Sequence, residues 1–185
     1  MKTHSKIIGI LIAVTSITMQ MSAQNTVTVG GEKMYASKDI IDNAVNSKDH
    51  TTLVAAVKAA DLVATLKSKG PFTVFAPVNA AFDALPKGTV ETLLKPENKE
   101  KLAGILTYHV IAGKYDMAAL KDLIKKGNGK ASLTTVQGQT LSFMSNGPSN
   151  IQVADANGNV ANFSTYDVYQ SNGVIQVIDK VLLPK

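Results

Sequence analysis

The sequence predicts an α+β protein with a largely antiparallel sheet. Two observations carry this. Apolar residues recur at helical spacing through the first two thirds of the chain, and from Ser132 onward the period changes to two. Helices gathered early and strands gathered late are the mark of segregated α and β layers. A third observation sits between them. The run Thr73-Val-Phe-Ala-Pro-Val-Asn-Ala-Ala-Phe82 packs a short apolar strand, a stop at Pro77, a capping residue at Asn79 and the start of a helix into ten residues.

Before the domain comes an address. Lys2 and Lys6 form a positive start, Ile7 to Val14 is apolar apart from Gly9, and Ser22-Ala23 supplies small residues for cleavage. Residues 1–23 therefore read as a secretory signal peptide, with residues 24–36 a flexible, Gly-containing lead-in and residues 37–185 the domain. The apolar stretch is too short and too interrupted to span a bilayer, which takes about 20 residues, so no stable membrane insertion is expected after cleavage.

The helices follow in order. Ser37 is placed to cap Lys38 to Val45. A second helix begins at Asp49 or Thr51 and carries Leu53, Val54, Val57 and Ala60 on one face. Asp61 is expected to open a third with Leu62, Val63 and Leu66 inward, stopped by Gly70-Pro71. After the strand and its small helix, Thr89 caps Val90 to Leu94. Lys99 to Tyr108 reads as a longer helix burying Leu102, Ile105 and Leu106. Val110-Ile111 is a short apolar piece, and Asp116 caps Met117 to Lys126, whose Leu120, Leu123 and Ile124 face inward. Lys125, Lys126 and Lys130 around Gly127-Asn-Gly129 make a basic, flexible stretch.

The strands come next. Leu133 to Val136 and Thr140 to Met144 form a hairpin about Gln137-Gly138, and Asn150 to Val153 follows. Asn157-Gly158 marks a tight turn into Val160 to Val168, and Asn172-Gly173 turns into Val174 to Leu183, the most apolar strand. Asp179 interrupts it, and an acid there is either exposed at an edge or hydrogen-bonded inside, a structural role in both cases.

Composition excludes several functions. The chain has no Cys, so disulfides, thiolate chemistry and a lipobox are out. Its 19 basic residues are all Lys. Removing the leader's two leaves 17 against 14 acids, and there is neither Arg nor Trp, which argues against nucleic-acid binding. Of the histidines beyond the leader, His50 lies in a polar setting near a helix start and His109 ends an apolar helix, where it reads as a satisfied buried group. Neither belongs to a metal-binding spacing, so no metal and no cofactor are expected. Ser132, Ser142 and Ser164 lie in sheet-like segments without a nucleophile elbow, and no catalytic residue is assigned. Asp155-Ala-Asn-Gly-Asn159 is a hairpin turn rather than a calcium loop, since it lacks the distal Glu and flanking helices. Asn162-Phe-Ser164 matches the glycosylation pattern.

Three ordered segments resemble the fasciclin-like (FAS1) family: Thr73 to Phe82, Leu106-Thr-Tyr-His-Val-Ile111 with its Tyr-His pair, and Asn172-Gly-Val-Ile-Gln-Val-Ile-Asp-Lys-Val-Leu-Leu-Pro184. The resemblance covers about Ser37 to Lys185. It implies a FAS1 fold, an N-terminal helical lobe packed on a twisted β-wedge, and a secreted or periplasmic, non-enzymatic binding module of adhesion type, with an extracellular or envelope protein or polysaccharide as partner. Tyr108 and His109 map to the pair discussed as an adhesion determinant, and burial equally makes them a structural clasp. Thr73, Phe75, Pro77, Asn79, Phe82, Gly173 and Asp179 fall in the structural motifs. The alternative reading is a small-ligand carrier or hydrolase using a cleft near Tyr108-His109. The chain departs from the family pattern at Gln176, where many relatives have His, at Ile111-Ala112, which lacks a nearby Asp-Ile, and over a long Lys-rich Ala118 to Lys130.

Overall fold

A computed structural model describes residues 26–185. The expected signal peptide lies outside the described residues. Residues 26–36 of the lead-in are described, and they contain a hairpin, β1 (Val27–Val29) and β2 (Glu32–Met34), with Val29 and Met34 buried in the core of the helical lobe. The polar composition concealed a two-residue Gly turn whose flanking strands each turn one apolar side chain inward.

The lobe continues with α1 (Ile40–Ala44), α2 (Thr51–Ala59) and α3 (Val63–Leu66). Asp39, not Ser37, caps α1, accepting from the Asp42 amide at 2.8 Å. Asp61 ends α2 instead of opening α3. It sits at φ 61°, and the Leu62 and Asp61 amides bond back to the Val57 and Lys58 carbonyls, the Schellman closure of a helix. Then come β3 (Phe72–Pro77), α4 (Asn79–Asp83), α5 (Thr89–Leu93), α6 (Lys99–Tyr108), β4 (Val110–Ala112) and α7 (Met117–Lys126). Thr89 is the first residue of α5, and its N-cap is Gly88. Asp116 caps α7 as expected, accepting from Ala119 N at 2.9 Å. The Gly127–Gly129 stretch is a second Schellman turn, with Asn128 at φ 54° and Gly129 N bonded to Ile124 O.

The remaining strands are β5 (Lys130–Thr134), β6 (Thr140–Asn146), β7 (Asn150–Ala154), β8 (Val160–Gln170) and β9 (Gly173–Ile178). They join β3 and β4 in a seven-stranded sheet of order β4-β3-β9-β8-β7-β6-β5, antiparallel except for the β3–β9 pair. Beyond the end of β5, Val136 N donates to Val110 O on β4 at 2.7 Å, which draws the two edges of the sheet together. The fold class expected from the sequence, α+β with a mainly antiparallel wedge, is the one observed.

Two cores meet at β3 and β9. Val74, Ala76, Ile175 and Val177 face the helical lobe, while Phe75 and Ile178 face the inside of the wedge with Phe143, Ile151 and Phe163. Every residue of β9 is buried. That explains why this segment reads as a continuous apolar run and not an alternating one: it has a core on each face.

Candidate functional site

The last turn of α6 delivers Tyr108 and His109 side by side into the seam between lobe and wedge. A helix leaves its final carbonyls without intrahelical partners. Here the His109 side chain, itself the C-cap of α6, answers one of them: Nδ1 lies 2.9 Å from Ile105 O. On its other side Nε2 meets Leu182 N at 3.0 Å. An amide can only donate, so Nε2 accepts, and Nδ1 carries the proton and donates to Ile105. Burial lowers the His109 pKa from 6.5 to about 4, which keeps the ring neutral and holds this tautomer. Tyr108 is fully buried, and burial raises its pKa. Its hydroxyl donates to Thr140 O at 3.0 Å and accepts from Ala156 N at 2.9 Å.

Both side chains therefore tie α6 to other elements: Tyr108 to β6 and the β7–β8 turn, His109 to the C-terminal tail. The tail corrects one expectation. The last strand stops at Ile178 and does not reach Leu183. Beyond it, side chains take the place of a neighbouring strand. Leu182 N goes to His109, Leu183 N to Asp155 Oδ2 at 3.0 Å, Leu183 O to Asn157 Nδ2 at 2.9 Å, and Lys185 N to Gln139 Oε1 at 3.0 Å. Asp155 also accepts from the amides of Asn157 and Asn159, so the Asp155–Asn159 segment is the hairpin turn expected of it. Asp179, at the bend, is exposed and accepts from Asn162 N at 2.7 Å and Asn162 Nδ2 at 2.8 Å, which occupies the Asn of the glycosylation pattern.

The other motif residues lie inside or at corners. Thr73 Oγ1 donates to Gly113 O and accepts from Tyr115 N. Phe75 stacks at a tilt on Phe143 and Phe163, with ring centroids 5.4 and 5.9 Å away. Pro77 ends β3 opposite Ile178, and Phe82 is half-buried against the lobe. A Cβ on Gly173 would stand 2.2 Å from Phe72 O, so only glycine fits there. Asn79 caps a different helix from the one expected. Val78 is the N-cap of α4, and Asn79 Oδ1 accepts from Thr52 N at 3.1 Å and Thr51 Oγ1 at 3.2 Å, capping α2 across the lobe. Gln176 is fully buried. Its Nε2 donates to Tyr115 O and Asp167 Oδ1 and its Oε1 accepts from Asp167 N, so it anchors the β8 bulge.

His50 overturns its expected polar setting, being only 3% exposed. Its Nδ1 lies 2.8 Å from Ser47 Oγ, while Nε2 makes no hydrogen bond among the described residues, and burial lowers its pKa against the smaller influence of the Ala76 backbone. Sequence reasoning missed this pair, which the Ser-x-x-His spacing at the head of α2 could have suggested. It lacks the orienting acid of a hydrolytic triad. Among the described residues no cluster of three metal-ligating side chains occurs, and no helix is long and apolar enough to cross a membrane.

A helical lobe docked on a nearly closed, mainly antiparallel wedge, with a Tyr-His pair at the seam, defines the architecture of one class of α+β domain. The family model of the Fasciclin domain matches residues 48–184, and the chain belongs to that family. It is 41% identical over 192 residues to Protein sll1483 of Synechocystis sp., covering 100% of this chain and 99% of that one. It is 36% identical over 146 residues to the Immunogenic protein MPB70 of Mycobacterium bovis, covering 76% of this chain and 66% of the relative. It is 32% identical over 170 residues to the Cell surface glycolipoprotein MPB83 of the same species, covering 89% and 69%. Among solved structures, the FAS1 domain pair of the insect cell adhesion molecule Fasciclin I superposes with a TM-score of 0.71 at 19% identity, over 79% of this chain and 51% of that one.

Proposed function

We propose that this chain is an exported, non-enzymatic binding module that associates with a protein or polysaccharide of the cell surface or envelope. The observation that carries this reading is where its reactive side chains are used. Tyr108, His109, Asp155 and Gln176 give their polar atoms to the protein's own backbone and side chains. A general base or nucleophile needs an atom free to reach substrate, and these are not free. The surface-located relative MPB83 and the adhesion molecule Fasciclin I support the same direction. A hydrolase at Tyr108-His109 gains no support from a pair whose hydroxyl and ring nitrogens are already engaged.

The test is retention of the purified protein on immobilised envelope protein and envelope polysaccharide fractions from its native host. Saturable binding to one of them, with no turnover of ester or glycoside substrates, is the expected result. Turnover lost in His109→Ala at unchanged melting temperature would replace this reading with an enzymatic one.

A further inference from the structure

The helical lobe contains a cavity of about 110 Å³ between α1, α2, α3 and the lobe-facing side of β3 and β9. Its walls are mainly apolar, with Ile40, Leu53, Val57, Leu66 and Phe72 among them, and the Ser47, Thr65 and Thr107 that also line it show it no polar surface. The two histidines in the wall, His50 and His109, are held neutral by burial. An apolar cavity of this size stays dry and accepts apolar molecules: one of about 150 Å³ takes benzene. A polar or ionic ligand would have to leave water for walls that offer it few partners.

The rim is different. Lys58, in the last turn of α2, is the one permanently charged residue lining the cavity among the described residues. It is exposed, and it makes no ion pair among the described residues. Val45, 47% exposed, also lines the cavity and extends its apolar surface outward. An apolar interior with a single unpaired cation at its rim is complementary to a molecule with a hydrocarbon body and one negative head. We propose that the lobe binds the tail of a single-chain anionic amphiphile, of the class of medium-chain fatty acids, with its carboxylate at the Lys58 ammonium. The inference is separate from the surface-binding reading, since neither proposed partner class depends on this cavity.

Chain length and head charge test it. Hexanoate, octanoate and decanoate, each below its aggregation concentration, are titrated into the purified protein by calorimetry or by methyl NMR of the lobe. One saturable site is expected, with affinity rising about fourfold per added methylene (about 0.8 kcal/mol) until the cavity is filled. Octanoate should bind several-fold more tightly than octanol and octyltrimethylammonium. Lys58→Glu, an exposed change that leaves the fold intact, should reverse the preference between carboxylate and ammonium. Ala44→Trp, at the half-buried lining, should weaken all chains together. Absence of saturable binding by any chain overturns the proposal. So does equal affinity for octanoate and octanol, or a Lys58→Glu protein with unchanged preference. Loss of envelope retention with fatty-acid binding intact would sink only the surface-binding reading, and the converse only this one.

Discussion

Acidification should weaken the fold chiefly through His109. Its pKa is about 4 in the folded protein against the ordinary 6.5 of an exposed histidine. A group whose folded pKa is depressed and whose neutral form is native binds fewer protons folded than unfolded between these two values. Stability therefore rises with pH across this window. It is fully present above about pH 6.5 and is lost as pH falls towards 4. Each pH unit within the window removes about 1.4 kcal/mol, so lowering the pH from 7 to 5 should cost about 2 kcal/mol from this residue. His50, whose pKa burial also lowers, acts in the same direction. The structural cause is specific: a second proton on His109 would sit on Nε2, facing the Leu182 amide, and turn an accepted bond into donor against donor. Urea unfolding at pH 7, 6 and 5, with the histidine ring protons followed by NMR, measures both quantities. Equal stability at pH 7 and pH 5, or a His109 ring titrating near 6.5 in the folded protein, would refute the reasoning.

Three further outcomes follow from named contacts. Tyr108→Phe removes the hydroxyl that serves Thr140 O and Ala156 N and should cost about 1–3 kcal/mol, read as a lower urea midpoint with unchanged slope. Asp61→Gly relieves a left-handed residue at the end of α2 and should stabilise by roughly 0.5–1 kcal/mol. The exposed Asp61–Lys99 pair at 3.4 Å that it removes is a minor loss, so a fall in melting temperature would contradict this account. Gly173→Ala places a methyl 2.2 Å from Phe72 O at the β3–β9 junction and should prevent soluble expression or lower the melting temperature by many degrees. A wild-type melting temperature would show that the two strands can part there.

How much of this was legible in the sequence depended on what each residue pairs with. Helix α6 was readable to the residue, because Lys99–Tyr108 has strong spacing and its boundaries are set by its own neighbours. Asp116 was readable for the same reason, since its capping bond closes within three residues. Asn79 and Asp61 were not. Asn79 sits where a local cap belongs yet bonds to a helix 27 residues earlier, and Asp61 could open one helix or close another with equal local plausibility. The hairpin of Val27–Met34 was hidden because only Val29 and Met34 are buried, too few for a pattern. The end of β9 was misplaced because an apolar run cannot say whether its amides meet a strand or, as for Leu182 and Leu183, the side chains of His109 and Asp155. The Tyr-His pair was visible as a motif, but the partners that define its chemistry, Thr140, Ala156 and Leu182, are all more than 30 positions away.

That distance bears on how the pair should be tested. A residue with no exposed surface reaches a partner only by changing the shape or the population of the folded state. Tyr108 is 0% exposed and His109 3%. Suppose the protein has a stability near 5 kcal/mol, the low end for a natural domain, and Tyr108→Phe costs about 3 kcal/mol. About 2 kcal/mol then remains, which leaves roughly 97% of molecules folded at 25 °C. Unfolding could then account for only a few per cent of any lost retention on envelope fractions. A tenfold loss of binding in Tyr108→Phe, at 25 °C and with at least 2 kcal/mol of residual stability, would therefore mean that the hydroxyl shapes the contact surface from within and does more than hold the fold. Retention within twofold of wild type is the expected outcome, and it would leave the pair as the tie between helix, wedge and tail, with the contact surface among exposed residues.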